Sequence, residues 1–201
     1  KKQSVVGDAE INKDVAIVYS PLNGAGLKPV LRTLKETGYT NITVVKEQEL
    51  PDGNFPTCPY PNPEIHEAMA LGMEYAAKYN ADLLLATDPD TDRVGTAVKN
   101  GDSYLLPSGN EMGVLLLDYI ARQTAKREGD AAMARKVAVT TIVSSMMVDA
   151  IAAAYGFEVR RVLTGFKYIG EQIKHFEADH SHEYVFGLEE SYGCLAGTHA
   201  R

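Results

Sequence analysis

The chain has 201 residues and a formal charge of −7, which leaves no basic field for a phosphate backbone and excludes nucleic acid as an expected partner. Hydrophobic residues make up 45 % and charged residues 23 %, ordinary values for a globular protein, and the length suits one large domain or two of about 100 residues each. The longest apolar runs, such as Val114 to Leu117 and Ala150 to Ala154, fall well short of the roughly 20 residues of a membrane helix, so no membrane partner is expected.

In chain order, Val15 to Tyr19 reads as a buried strand, followed by the turn-forming Ser20, Pro21, Leu22, Asn23, Gly24, Ala25, Gly26 and a helix over Leu27 to Glu36 that Gly38 ends. Ile42 to Val45 is the next strand. Four prolines, Pro51, Pro56, Pro59 and Pro61, make Gln48 to Pro61 an extended surface loop. A helix is then expected with Asn62 as cap and Pro63 at its first position, its inner face being Ile65, Ala68, Met69, Gly72, Met73 and Ala76. Leu83 to Ala86 is a short buried strand that delivers the polar loop Thr87 to Arg93, and Asn100 with Gly101 signals a hairpin.

From about Tyr104 the cycle restarts, with a helix facing inward through Met112, Leu115, Leu116, Tyr119 and Ile120, then a charged connector over Lys126 to Arg135. Strands at Val137 to Thr141, Glu158 to Val162 and Tyr184 to Leu188 alternate with helices near Val148 to Tyr155 and Tyr168 to His175. Strand and helix alternate throughout, as in an α/β layer fold, and the expected boundary lies near Ser103, giving units 1–103 and 104–201.

Asp88, Asp90 and Asp92 alternate over five residues directly after a buried strand. Three carboxylates this close repel one another unless a cation joins them, and their hard oxygens suit Mg²⁺ or Ca²⁺. An EF-hand loop is excluded, because its sixth position would be Arg93 instead of glycine and its twelfth Lys99 instead of glutamate. Magnesium is the expected cofactor, against the alternative of a solvated acidic turn.

The Asp-Pro-Asp-Thr-Asp-Arg run resembles the metal loop of the α-D-phosphohexomutases, the phosphoglucomutase and phosphomannomutase family. Gly187, Leu188, Glu189, Glu190, Ser191, Tyr192, Gly193 is similar to that family's sugar-binding loop, with Leu188 intervening between glycine and glutamate. Thr164, Gly165, Phe166, Lys167 resembles its Thr-Gly-x-Lys loop. Pro61, Asn62, Pro63, Glu64 and the loop from Ser20 to Gly26, the latter read as mainly structural, also look like family segments.

The resemblance implies two tandem three-layer α/β/α sandwich domains with mixed sheets, family domains II and III. It implies that Asp88, Asp90 and Asp92 are the Mg²⁺ ligands, that Arg93 is catalytic, and that Thr164, Gly165, Lys167, Glu189 and Ser191 bind substrate. Glu189 and Ser191 suit a sugar diol chemically. The implied reaction interconverts hexose 1-phosphate and hexose 6-phosphate, of glucose or mannose, through a phosphoserine and a hexose bisphosphate. Neither the family's phosphoserine loop in its first domain nor its fourth, phosphate-clamping domain occurs in this sequence, and both ends of the chain read as cut. The expectation is therefore that these 201 residues alone are inactive. The rival class is a self-contained, non-catalytic module that binds Mg²⁺ and a sugar phosphate.

Other residues are read as structural. Ser144 and Ser145 lack a nucleophile elbow and are expected to cap a helix. His180 and His182 have no third metal ligand nearby, and His66, His175 and His199 form no constellation. Cys58 and Cys194 have neither metal nor redox spacing, which points to reduced thiols and a cytoplasmic location.

Overall fold

The computed structural model describes residues 11–199, which fall into two compact units, 11–107 and 108–199. The division lies at Pro107 and Ser108 instead of near Ser103, because Ser103–Leu105 completes the hairpin of the first unit.

The first unit holds β1 (Ile17–Ser20), α1 (Leu27–Thr37), β2 (Ile42–Val44), α2 (His66–Lys78), β3 (Leu83–Thr87), β4 (Val94–Asn100) and β5 (Ser103–Leu105). Its sheet is mixed, in the order β2-β1-β3-β4-β5, with β1 parallel to β2 and β3 and the last two strands antiparallel. Gly38 ends α1 at φ 98°, donating its N–H to Leu34 and Lys35, as a left-handed glycine cap does. Gly101, at φ 61°, makes the expected hairpin turn. One face of the sheet, through Val18, Leu84, Ala86 and Ala97, packs on Ala68, Met69 and Ala76 of α2. Gly72 lets α2 approach closely, since a Cβ there would meet Leu84 Cδ1 at 2.8 Å.

This helix starts later than its sequence signals suggest. Asn62 accepts from the N–H of Glu64, and its carbonyl accepts from Ile65. Asn62 and Pro63 therefore close a separate turn, and α2 begins at His66.

The second unit holds α3 (Gly109–Glu128), α4 (Asp130–Met133), β6 (Lys136–Thr141), α5 (Met147–Tyr155), β7 (Glu158–Val162), α6 (Phe166–Asp179), β8 (Glu183–Leu188) and β9 (Cys194–Ala196). The sheet order is β7-β6-β8-β9, parallel except for β9. Strand β6 is buried along its whole length and serves both faces. Ala138 packs with α3 and α5, whereas Val137 and Val139 pack with Ile169, Ile173 and Phe176 of α6. This alternation makes three layers, as a strand's two-residue period requires.

Helix α3 opens with a capping box, Ser108 Oγ accepting from the Glu111 N–H while Glu111 accepts from the Ser108 N–H. Its core face is Gly113, Leu117, Ile120, Ala121 and Thr124, with Leu115 exposed. Of the expected face, Ile120 is buried and Leu116 and Tyr119 pack against the core, while Leu115 is exposed and Leu117, Gly113 and Ala121 complete the contact. The charged connector also folds, as the end of α3 and as α4, whose Met133 is buried. Strand β9 gave no signal, being three residues long and carrying a cysteine.

Among the described residues no helix is long and apolar enough to cross a membrane. Lys136, only 7 % exposed, lies between two carboxylates, 2.5 Å from Glu128 and 2.6 Å from Glu183. Hydrogen bonds from Lys136 and Arg127 hold the Glu128 carboxyl below its ordinary value. Its contribution is therefore complete above the ordinary glutamate pKa and disappears as pH falls through the lower folded value. In urea unfolding between about pH 5 and pH 3, the wild type is expected to lose more stability than Glu128→Gln.

Candidate functional site

Each sheet carries polar loops at the carboxyl ends of its central parallel strands. In the first unit β1 lies between β2 and β3, so the chain leaves β1 to one side and returns on the other. That reversal of strand order opens a crevice between the loops after β1 and β3, the usual ligand position in such sheets. The loop from Asp88 to Arg93 sits there.

Asp88 is 1 % exposed, while Asp90 and Asp92 are exposed. The three can each place one carboxylate oxygen within 4.8 Å of the others. Asp88 Oδ1 accepts from the Arg93 backbone N–H at 3.1 Å, and Oδ2 accepts from Arg93 Nε at 2.8 Å. Arg93 also approaches Glu64 at 3.4 Å and Asp92 at 3.7 Å. Burial opposes ionisation of Asp88, but the hydrogen bonds and charge of Arg93 outweigh it and hold the carboxyl below its ordinary value. Asp92 is displaced upward, by burial first and then by the charge of Asp88. That opposition between neighbouring carboxylates is what a cation relieves. The donor set fits a hard divalent ion such as Mg²⁺.

The loop's shape is set from below by the segment after β1. Ala25 donates its N–H to the Pro89 carbonyl at 2.8 Å. A Cβ on Gly24 would lie 2.3 Å from Pro89 Cα, and one on Gly26 would lie 2.4 Å from the Tyr19 hydroxyl and 2.6 Å from Thr87 Oγ1. The Ser20 to Gly26 loop is thus the floor on which the aspartates rest. Pro63, next to Glu64, makes a similar approach, since a Cβ on Gly95 would lie 2.8 Å from the Pro63 carbonyl oxygen. Thr91 adopts φ 68°.

In the second unit Glu189 follows β8 and is 7 % exposed. Its Oε1 accepts from the Gly165 N–H at 2.6 Å. The structure thus brings the Thr164 to Lys167 loop and the Glu189 to Ser191 loop together. Gly165 adopts φ 127°, ψ 126°, a conformation for which glycine is suited. Thr164 and Lys167 are exposed, Lys167 lying over the Tyr168 ring at 4.8 Å. Ser191 is half-buried in the same loop. The loop closes through Glu189 N–H to Gly193 O at 2.9 Å. Gly193 also leaves room for Phe166, whose Cε2 a Cβ would meet at 2.3 Å. Gly187 is a sheet residue paired with Val139, and a Cβ there would lie 2.4 Å from the Tyr184 hydroxyl. Leu188 is accordingly the last residue of β8, and the loop itself begins at Glu189.

Several residues gain roles that the sequence did not reveal. Ser144 does not cap α5; it shares a hydrogen bond of 2.7 Å with Thr141 and reaches Glu190. Ser145 Oγ accepts from the Met147 N–H at 3.2 Å. Arg161 and Glu190 join the same network. His182 pairs with Glu158 at 2.8 Å and meets the Phe176 ring at a tilt of 60°, and His180 provides the left-handed cap of α6. Burial raises the pKa of both thiols, that of Cys194 to about 12.

Tandem α/β/α units with a carboxylate loop at the strand-order reversal of the first and a paired glutamate–glycine loop in the second define a recognisable class of two-domain fold. Residues 2–101 match the family domain described as phosphoglucomutase/phosphomannomutase, alpha/beta/alpha domain II, and residues 108–201 match domain III of the same family. The chain belongs to the phosphoglucomutase/phosphomannomutase family. It is 38 % identical over 187 residues to a phosphomannomutase of Mycoplasmoides pirum, covering 93 % of this chain and 33 % of that protein. It is 36 % identical over 195 residues to a phosphoglucomutase of Staphylococcus saprophyticus, covering 96 % of this chain and 34 % of that protein. A phosphoglucomutase/phosphomannomutase family protein of Burkholderia thailandensis has the same fold, with a TM-score of 0.71 at 18 % identity, over 96 % of this chain and 37 % of the other. The chain therefore spans about a third of the length of these relatives.

Gly24→Ala is expected to lower stability by about 1–3 kcal/mol, because the added methyl meets Pro89 backbone that cannot yield without moving the aspartate loop. Thermal unfolding of the purified variant measures this.

Proposed function

We propose that this chain forms the metal-binding and sugar-recognition domains of a phosphohexomutase that interconverts hexose 1-phosphate and hexose 6-phosphate, of glucose or mannose. The observation that carries the proposal is the convergence of Asp88, Asp90 and Asp92 within 4.8 Å, in a chain whose relatives are named phosphomannomutase and phosphoglucomutase. The phosphoserine that gives and recovers the phosphoryl group, and the domain that holds the distal phosphate, come from the remainder of such an enzyme. The free cysteines Cys58 and Cys194 fit a cytoplasmic enzyme.

Asp88, Asp90 and Asp92 would hold Mg²⁺, which would supply charge neutralisation for the oxygens of a transferring phosphoryl group. Asp88 has a second task. As a buried carboxylate it fixes Arg93 through side chain and backbone, so that a guanidinium stands ready at the rim of the metal loop without reorganising during transfer. Arg93 is the residue we assign to charge stabilisation at the reacting phosphate.

Glu189 and Ser191 take the sugar hydroxyls, the carboxylate accepting from a diol and the hydroxyl donating or accepting. The Gly165 N–H keeps one oxygen of Glu189 in place. Thr164, Gly165 and Lys167 complete the substrate side of that loop, Lys167 as a point charge for a phosphate. The hexose bisphosphate formed after the first transfer must turn over before the second, so both loops have to recognise either orientation of the ring.

A coupled mutase assay on the full-length enzyme carrying this chain, with Mg²⁺ and a hexose bisphosphate activator, tests the proposal. Turnover of glucose or mannose 1-phosphate is expected to fall at least about a hundredfold in Asp90→Asn, and the isolated 201 residues are expected to show none. Activity indifferent to Asp90 removes the metal assignment. No activity on either sugar in the full-length protein favours a binding module over an enzyme.

A further inference from the structure

Between the two residues assigned to sugar hydroxyls stands Glu190, and its carboxylate is engaged with the protein. Glu190 Oε2 accepts from the Thr141 hydroxyl at 3.0 Å; Ser144 Oγ lies 3.5 Å from the same oxygen and 2.7 Å from Thr141 Oγ1, and with one proton on each hydroxyl Ser144 donates to Thr141 while Thr141 donates to Glu190. The two hydroxyls belong to the end of β6 and the loop that follows it, on the strand next to β8.

That loop is itself held from the other side. Arg161, on β7, donates from Nη1 to the carbonyls of Thr141 and Ser144 at 3.1 and 3.3 Å, and from Nη2 to the Ser145 carbonyl at 3.3 Å and to Asp149 at 2.5 Å. A planar fork with several fixed donors is suited to gathering three carbonyls and a carboxylate in one arrangement. Asn110 Oδ1 accepts from the Ser145 N–H at 2.8 Å, which ties the loop to the start of α3. There Gly109 presses on the backbone of Glu190, whose carbonyl oxygen a Cβ would meet at 1.9 Å.

We propose that Glu190 is a positioning residue of the hydroxyl-recognition loop, with the Thr141 and Ser144 hydroxyls as its seat and Arg161 holding that seat in place. The inference rests on the assignment of Glu189 and Ser191 to the sugar. The physical reason is that Glu189 and Ser191 flank Glu190 in the chain, so a charge-assisted tether at the middle residue fixes the backbone from which both neighbours project. Such bonds are stronger than neutral ones. Backbone closure through Gly193 and the steric stop at Gly109 restrict the loop, and Thr140 of β6 holds its start by donating to the Leu188 carbonyl at 3.1 Å. Glu190 adds an anchor to the end of β6 between the two recognition residues themselves, and acts on substrate only through its neighbours.

Two readouts test it. In the full-length enzyme, Glu190→Ala is expected to raise KM for the hexose 1-phosphate about tenfold while kcat stays within about twofold, the pattern of weakened ground-state and transition-state binding alike. Glu190→Gln, whose amide oxygen still accepts from the Thr141 hydroxyl, is expected to recover most of the loss. In amide NMR of the ¹⁵N-labelled chain, Glu190→Ala is expected to shift Gly165 and Gly193, and Glu190→Gln to leave them in place. Should Glu190→Ala fail to fold, Thr141→Val with Ser144→Ala empties the seat while keeping the carboxylate, and is expected to move the same two amides. Unmoved Gly165 and Gly193 in a folded variant, or an unchanged KM, overturns the proposal. So does Glu190→Gln behaving as badly as Glu190→Ala, since that would place the charge itself on the substrate. If the wild-type enzyme shows no mutase turnover, the functional reading fails, and the amide shifts alone decide the positioning role.

Discussion

A carboxylate sunk below the rim of a sheet has to be matched by donors, and that constraint shapes both units. Asp88 is nearly inaccessible and is met by the side chain and backbone of Arg93; Glu189 is nearly as buried and is met by the Gly165 N–H. An unpaired carboxylate in either place would take up a proton or distort its loop. Because each is paired, each is held in a fixed direction, and Arg93 keeps the Asp88 carboxyl below its ordinary value. In both cases the remaining polar groups of the loop are arranged around the buried one. Asp90 and Asp92 stand in the open beside Asp88, and Ser191 lies two residues beyond Glu189.

The fold supplies the position of these carboxylates through strand order. In each sheet a central parallel strand, β1 or β6, has neighbours on both sides that are reached by separate crossovers. The loops at the carboxyl ends therefore part around it. The central strand's own loop then acts as support. After β1 it is the floor beneath Pro89; after β6 it is the seat for Glu190. The first support is shaped by close contacts that only glycine permits, at Gly24 and Gly26, and Gly109 leaves room for the backbone of Glu190.

Much of this was legible in the sequence. The strands are short apolar runs, and β7 was read to the residue. The triad of aspartates is local, so its chemistry needed no tertiary information. The sequence also marked the ends of α1 and the β4–β5 hairpin through Gly38 and Gly101. What stayed hidden depends on partners distant in the chain. Glu189 and Gly165 are 24 residues apart, and Glu190 and Thr141 are 49 apart, so no local pattern links them. Arg161 reads as one of two adjacent arginines on a strand, and nothing in its spacing reveals three carbonyl acceptors. On α3 the expected Leu116, Tyr119 and Ile120 meet the core, but Leu115 is exposed and Gly113 and Ala121 are buried, so residue size alone does not mark the inner face. Gly187 belongs both to the expected strand Tyr184 to Leu188 and to the loop motif, and its pairing with Val139 assigns it to the sheet.

The claim on which the functional reading depends is that Asp88, Asp90 and Asp92 act together on one cation. Mn²⁺, a paramagnetic stand-in for Mg²⁺, titrated into the ¹⁵N-labelled chain reads this directly through line broadening, even at an affinity of about millimolar. The account predicts broadening centred on residues 88–93, reversed by excess Mg²⁺ and abolished by Asp90→Asn. Broadening spread over the acidic surface at large, or broadening at this loop that survives Asp90→Asn unchanged, would contradict it.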